Sequence, residues 1–310
     1  MRIFVSGATG VVGVRVVPLL LSRGHSVTAV TRNPEARAHL ERAGARPVAV
    51  DLFDVNAVRK AVARHDVIIN LATHIPPSAA RMILRRSWRE NDRLRTEGVA
   101  NIVDAALAAG APRLIQESFA PIYADRGDEW VDESAPLQPT AYNRTTVDAE
   151  QSVARFTSRG GTGVALRFAG FYGPDAIQVQ SYIDALRKGW AALPGSPQKF
   201  ISSIAHDDAA TAVVAALEVP AGAYNVGDDE PVRRAVFFGS LAEALGLKAP
   251  RFLPDWTVSL LGSVGETMGR SLRMSNRKLR GATQWQPQFR SVREGWPVML
   301  AQMKEHRASA

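Results

Sequence analysis

Arg2-Ile-Phe-Val-Ser-Gly7-Ala-Thr-Gly10-Val-Val-Gly13 opens the chain. The run Arg2–Ser6 carries three apolar residues in a row and reads as a short buried strand. Glycines then recur every third residue, and an apolar helix follows from about Val11 to Arg23. A strand that turns so sharply into a helix needs glycine's conformational freedom. A side chain at Gly10 would block a pyrophosphate on the turn, and Gly13 lets the helix pack close to the sheet. The helix start offers free N–H groups and the positive end of a dipole to an anion. Three spaced glycines alone say little, and a mere packing turn is the bland alternative. Their place between a first strand and an apolar helix gives them weight. The turn Gly7, Thr9, Gly10, Val11, Val12 and Gly13 therefore reads as the seat of a dinucleotide.

The rest of the first half repeats that rhythm. His25–Val30 is a second strand, and Asn33-Pro34 caps a second helix with proline in its first turn. Arg46–Val50 is a third strand, Asp54 caps a helix to about Arg64, and Asp66–Asn70 is a fourth strand. A long helical region is expected from Ser78 to Ala109, closed by Gly110. Arg113–Gln116 is a fifth strand, Thr140 begins another helix, and Gly163–Phe168 is a sixth strand. Alternating strands and helices predict a doubly wound parallel sheet, an α/β fold with helices on both faces. After Gly170 the rhythm breaks at Pro174, Pro194, Pro197, Pro220 and Pro231. We expect a dinucleotide-binding domain over residues 1–173 plus about 201–227. A smaller C-terminal substrate-binding domain is expected over about 174–200 plus 228–310.

Composition narrows the class. The chain has 310 residues, 46% hydrophobic and 22% charged, within the ordinary globular range. No apolar stretch approaches the ~18 residues of a membrane span. With a strand expected at the N-terminus no signal peptide is expected, and there is no cysteine to form disulfides or thiolate metal sites. A cytoplasmic location is the default expectation, with no membrane partner. The net charge is +8, and of 38 basic residues 32 are arginine. The charge is spread along the chain without a helix-turn-helix or zinc-finger pattern, so no nucleic-acid partner is expected. No histidine pair has zinc spacing, and there is no Gly-x-Ser-x-Gly elbow of a hydrolase.

With these landmarks the chain resembles the extended short-chain dehydrogenase/reductases, the NAD-dependent epimerase/dehydratase branch, whose first domain is a Rossmann fold. The Gly7-to-Gly13 loop matches the family's Gly-x-x-Gly-x-x-Gly pattern. Asp51-Leu52 resembles its adenine segment, and Asn70-Leu71-Ala72, with Thr73 next, its fourth-strand motif. Arg167-Phe168 through Pro174 resembles its sixth-strand segment. His206-Asp207-Asp208, Tyr224-Asn-Val-Gly227 and Trp285-Gln-Pro287 resemble landmarks further on. The resemblance covers nearly the whole chain and implies a nicotinamide dinucleotide, a small-molecule substrate and, through the helices near residues 90–109 and 140, a possible homodimer.

Which nucleotide is read from the end of the second strand. A carboxylate there would bind the ribose hydroxyls of NAD. Val30-Thr31-Arg32 offers an arginine instead, suited to a 2′-phosphate. Arg15 is a second candidate, and solvated surface arginines are the alternative for both. NADP is favoured over NAD.

The resemblance also implies a catalytic set that is incomplete here. Family members pair a tyrosine with a lysine four residues later, on one helix face. The tyrosine exchanges a proton with the substrate oxygen, and the lysine holds the nicotinamide ribose and lowers the tyrosine pKa. The tyrosine is Tyr142, but Thr146 stands in the lysine's place. The serine of the fifth-strand loop should lie four residues before Tyr123, which is Phe119, with Ser118 one residue off. A bend after Pro121 could bring Ser118 back. Tyr142 could otherwise be an aromatic that only packs. His74, just after the fourth strand, is a secondary acid/base candidate, and His206 reads as a helix cap rather than a catalyst. Three functions stay open: an atypical dehydrogenase/reductase acting on a small carbonyl or alcohol by reduction, epimerisation or dehydration; a non-redox enzyme reusing the cleft; and a dinucleotide-sensing regulator.

Overall fold

The computed structural model describes residues 1–76, 78–173, 177–189 and 192–308. Pro174 and Trp190, which the sequence assigned to the substrate side, lie outside the described residues. Seven parallel strands form the central sheet. They are β1 (Arg2–Ser6), β2 (Ser26–Val30), β3 (Arg46–Val48), β4 (Val67–Asn70), β5 (Arg113–Phe119), β6 (Thr162–Phe168) and β7 (Gly222–Val226). Their order is β7-β6-β5-β4-β1-β2-β3. The order reverses between β1 and β4, and in open α/β sheets ligands bind at that crevice. Pro47 sits in β3, an edge strand, where a missing N–H costs least.

Helices cover both faces, so the central strands are apolar on both sides. Ile3, Val5, Ile69, Ile115 and Leu166 meet Val16, Val17 and Leu20 of α1 (Gly13–Ser22) and Val213 of a later helix, His206–Ala215. The alternate residues Phe4, Ile68 and Leu114 meet Val58 and Val62 of α3 (Val55–Val62) on the other face. Ile102 of α4 (Val99–Ala108) and Phe156 of α5 (Arg144–Ser158) complete that layer. Between α1 and α3 lies α2 (Pro34–Arg42). A second core gathers Tyr172, Ile183, Phe237, Phe238, Leu241, Val292 and Trp296.

Several boundaries differ from the sequence reading, each for a local reason. Asn33 and Asp54 do cap α2 and α3, each side chain accepting two backbone N–H groups. The helical region before Gly110 is not uniform. It comprises Ala79–Met82, a 3₁₀ turn Arg85–Trp88, Arg89–Arg93, a π-helical turn Leu94–Gly98 and then α4. Thr140 does not begin α5. The Asn143 carboxamide accepts the Thr140 N–H at 2.8 Å and closes a turn that delays the helix to Arg144. His206 is not a cap either: Ala205 precedes the helix, and the acids of its first turn are Asp207 and Asp208. Asp208 reaches away to accept the N–H of Gln288 at 2.7 Å, while Trp285 Nε1 donates to Thr211 at 2.9 Å. Two distant landmarks of the sequence thus meet.

Asp228, just past β7, is 2% exposed. Ser203 Oγ donates to its Oδ2 at 2.9 Å, and its Oδ1 has no partner among the described residues. Burial, with the nearby carboxylates of Asp208 and Asp229, raises its pKa well above the ordinary value. A carboxyl that keeps its proton to higher pH in the folded chain stabilises fully below its unfolded pKa, roughly 4. That contribution is lost as pH rises through the folded value. Asp228→Asn, which cannot ionise, is expected to flatten this loss and to leave the variant more stable than wild type at pH 8. Urea midpoints measured from pH 5 to pH 8 check it: parallel curves for the two proteins would contradict the assignment.

Candidate active site

The glycine turn has the geometry its sequence demanded. Gly7 has φ of 71°, and a Cβ there would lie 2.4 Å from the Leu71 carbonyl carbon. A Cβ on Gly13 would lie 2.1 Å from the Gly7 oxygen. Both positions exclude every side chain. Gly10 differs. A Cβ there would meet only the Gly7 oxygen, at 3.4 Å, and Thr9, Gly10 and Val11 are exposed. The space over Gly10 is therefore open to a ligand. Val12 precedes α1 without a side-chain cap, and no acidic residue stands in the first turn. The dipole end of α1 faces that opening uncompensated.

A buried polar ladder fixes the opposite wall. Ser6 Oγ donates to Asn70 Oδ1 at 2.5 Å, and Asn70 Nδ2 donates to Gln116 Oε1 at 2.8 Å. Asn70 Oδ1 also accepts the Ala72 N–H at 3.2 Å. This holds Leu71, Ala72 and Thr73 beside Gly7. His74 follows, exposed, its backbone N–H donating to buried Asn91 at 2.9 Å. Past β2, Arg32 is exposed and makes no ion pair among the described residues. Arg15 is engaged: its Nε pairs with Asp207 at 2.5 Å and its Nη1 donates to the Val11 carbonyl. Asp51 accepts the Phe53 N–H at 3.0 Å, and the Leu52 carbonyl accepts from Asn101. Phe168 is buried against Phe171, with ring centroids 5.4 Å apart.

Tyr142 lies just before α5, 7% exposed. Its ring stands edge-on to Trp88 at 4.7 Å and to Phe119 at 6.4 Å. Burial pushes its hydroxyl up to about 12; Arg95 opposes that rise and Glu117 adds to it. One helical turn on, buried Thr146 accepts from Arg95 Nη1 at 2.7 Å. Arg95 Nη2 pairs with Glu117 Oε1 at 2.9 Å. Ser118 has a different partner. It donates to Glu150 at 2.5 Å, Glu150 holds Arg167 through two hydrogen bonds, and Arg167 donates to the Tyr123 hydroxyl. Tyr123 in turn donates to Asn225 at 2.7 Å. That network ties α5, β5, β6 and β7 together and takes up the Ser118 hydroxyl. Arg95 and Glu117 escaped the sequence reading. Position 95 is 51 residues from Thr146, and no periodic pattern marks it.

A family model described as NAD(P)H-binding matches residues 7–220. A 3-diazoavenalumate denitrifying reductase of a Streptomyces species is 35% identical, with 95% of this chain and 99% of that protein covered. A 4-hydroxy-2-methyl-3-oxo-4-farnesyl-3,4-dihydroquinoline-1-oxide ketoreductase of Stigmatella aurantiaca is 30% identical over 88% of this chain and 82% of its own length. Among solved structures, MoeE5 in complex with UDP-glucose and NAD shares the fold, with a TM-score of 0.78 over 99% of each chain at 20% identity. The chain belongs to the extended short-chain dehydrogenase/reductases.

Position 119 carries a phenylalanine that packs on Tyr142, and position 146 a threonine that accepts from a guanidinium. Because Gly10 has open space above it, Gly10→Val is expected to fold as wild type and to lose dinucleotide affinity by about a hundredfold, the side chain occupying ligand space at a cost of ~1–3 kcal/mol. Titration calorimetry, paired with a thermal melt, checks this. Unchanged affinity in a folded variant would remove the dinucleotide from this turn.

Proposed function

We propose that this short-chain dehydrogenase/reductase is an NADPH-preferring reductase of a small organic compound. The bound nicotinamide would supply hydride. The observation that carries the direction is the burial of Tyr142 between Trp88 and Phe119, which keeps its phenol protonated up to about 12. Such a group gives a proton readily to an alkoxide and is a poor base near neutrality. In ketone reduction the carbonyl carbon gains hydride and its oxygen gains the Tyr142 proton, which solvent then replaces. Gly7, Gly10 and Gly13 would seat the pyrophosphate, and Leu71 to Thr73 would border the nucleotide. Arg32, exposed beyond β2, would meet the 2′-phosphate. Arg15, tied to Asp207, is the weaker candidate. A cleft over the nicotinamide bordered by the second core, dimerisation and a cytoplasmic location belong to the same reading.

A second substrate class is favoured by Phe119 and Thr146, which remove the usual partners of an alkoxide. A diazo group that leaves as dinitrogen when hydride replaces it forms no alkoxide, so no oxygen needs a proton. The Streptomyces relative is named for a reaction of that kind.

The test uses purified protein, NADPH or NADH, an activated diketone and an arenediazonium salt, with nicotinamide absorbance as readout. NADPH is expected to bind at least about tenfold more tightly than NADH, as a charge-assisted hydrogen bond is worth ~1.5–3 kcal/mol. Arg32→Ala should erase most of that gap. Tyr142→Phe should lower diketone reduction by roughly 10²-fold or more and leave diazonium reduction near wild type. No turnover with either substrate would favour a non-redox role for the cleft.

A further inference from the structure

We propose that Arg95 is the cation of this active site, reaching from a π-helical turn to the position that a lysine at residue 146 would fill and setting the proton affinity of Tyr142. The inference rests on the reductase reading, in which Tyr142 is the proton donor. Arg95 is thereby a positioning residue: it acts through Tyr142 and Thr146.

Five observations converge on it. Tyr142 lies in the turn just before α5, and Thr146 stands in the first turn of that helix. The Arg95 guanidinium is bonded to the Thr146 hydroxyl at 2.7 Å, so positive charge sits where the chain itself provides none. Arg95 is 6% exposed, and a charge so buried needs compensation, which Glu117 gives at 2.9 Å. The turn that presents it, Leu94-Arg-Thr-Glu-Gly98, is π-helical without any proline to force it. Such insertions recur at functional sites because they rotate one side chain out of helical register. Finally, Arg95 Nε and Glu117 Oε2 are buried without a partner among the described residues.

The charges acting on Tyr142 come from two elements, Arg95 on the π turn and Glu117 on β5. Trp88 and Phe119, which pack on its ring, are uncharged. Asp92, on the helix segment just before the π turn, is taken up by Arg85 and by Thr145. A cation favours the phenolate and a carboxylate the phenol, so the two groups pull Tyr142 in opposite directions. Removing one or the other must therefore shift its ionisation with opposite signs. A packing role cannot produce that reversal.

The experiment places trifluorotyrosine at position 142 of the full-length chain by codon suppression, because its phenol ionises within the range the fold tolerates. Phenolate absorbance is followed against pH, without substrate. Arg95→Met is expected to raise the midpoint by about one pH unit or more. Thr146→Lys added to Arg95→Met should bring it back toward wild type, and Glu117→Gln alone should lower it. A midpoint unmoved by Arg95→Met, or moved the same way by Arg95→Met and Glu117→Gln, overturns the proposal. If Arg95→Met fails to fold because Glu117 is stranded, Glu117→Gln and Arg95→Lys decide. Glu117→Gln must lower the midpoint while Arg95→Lys stays near wild type, and an unmoved midpoint in Glu117→Gln is contrary. The titration needs no turnover, so it separates failure of this proposal from failure of the reductase reading, which only the substrate panel can reject.

Discussion

The near-contact of Gly7 and Gly13 sets the geometry on which everything else in the first unit depends. A Cβ on Gly13 would stand 2.1 Å from the Gly7 oxygen, and one on Gly7 would strike the backbone at Leu71. Three segments, β1, α1 and the end of β4, therefore approach as closely as bare backbone permits. The approach puts the start of α1 at the point where the strand order reverses. It also fixes where the Ser6–Asn70–Gln116 ladder can form, since Asn70 must accept from Ser6 while holding Ala72. The binding turn and the sheet centre are thus one packed unit, and a substitution that relaxes one disturbs the other.

The corner around Tyr142 obeys a different logic, a balance of burial against charge. Tyr142 is enclosed by two aromatic rings, which disfavours its anion. Within the same corner a guanidinium and a carboxylate pair at 2.9 Å, both largely buried. A pair like this adds little net stability, because desolvation offsets most of its attraction. Losing one member is another matter and costs ~3–5 kcal/mol, since an uncompensated charge is left inside. Local field, rather than fold stability, is what the pair is suited to supply. The neighbouring network of Ser118, Glu150, Arg167 and Tyr123 makes the contrast clear. It joins one helix to three strands and includes the Ser118 hydroxyl.

The strand–helix rhythm, the glycine turn and the two Asx caps were legible in the sequence because each is a local rule acting over a few residues. Asn33 and Asp54 need only their own next three residues to cap a helix. The misplaced starts at Thr140 and His206 fail for the converse reason. Asn143 turns back on Thr140, so a side chain that looks like a cap is spent elsewhere, and the later helix is preceded by Ala205 rather than His206. Arg95 was illegible twice over. Its partners Glu117 and Thr146 are remote in sequence, and the π turn breaks the period by which a helical face is recognised. A charged residue in a region expected to be regular helix reads as solvated unless the irregularity is seen.

The two cores have a mechanical consequence. The chain passes from one to the other between Ala169 and Tyr172, returns between Leu193 and Ile204, and leaves again between Val226 and Val232. It crosses twice more, before Leu272 and after Trp285. Among the described residues several connections join the two cores, where a freely hinged pair of lobes would have one or two. Each connection resists twisting and sliding, so large rigid-body opening would strain several at once. Discrimination between substrates then falls to the standing shape of the gap and to small local rearrangements at its mouth. The halves behave less like a jaw than like a stitched seam, whose width is set when the chain folds.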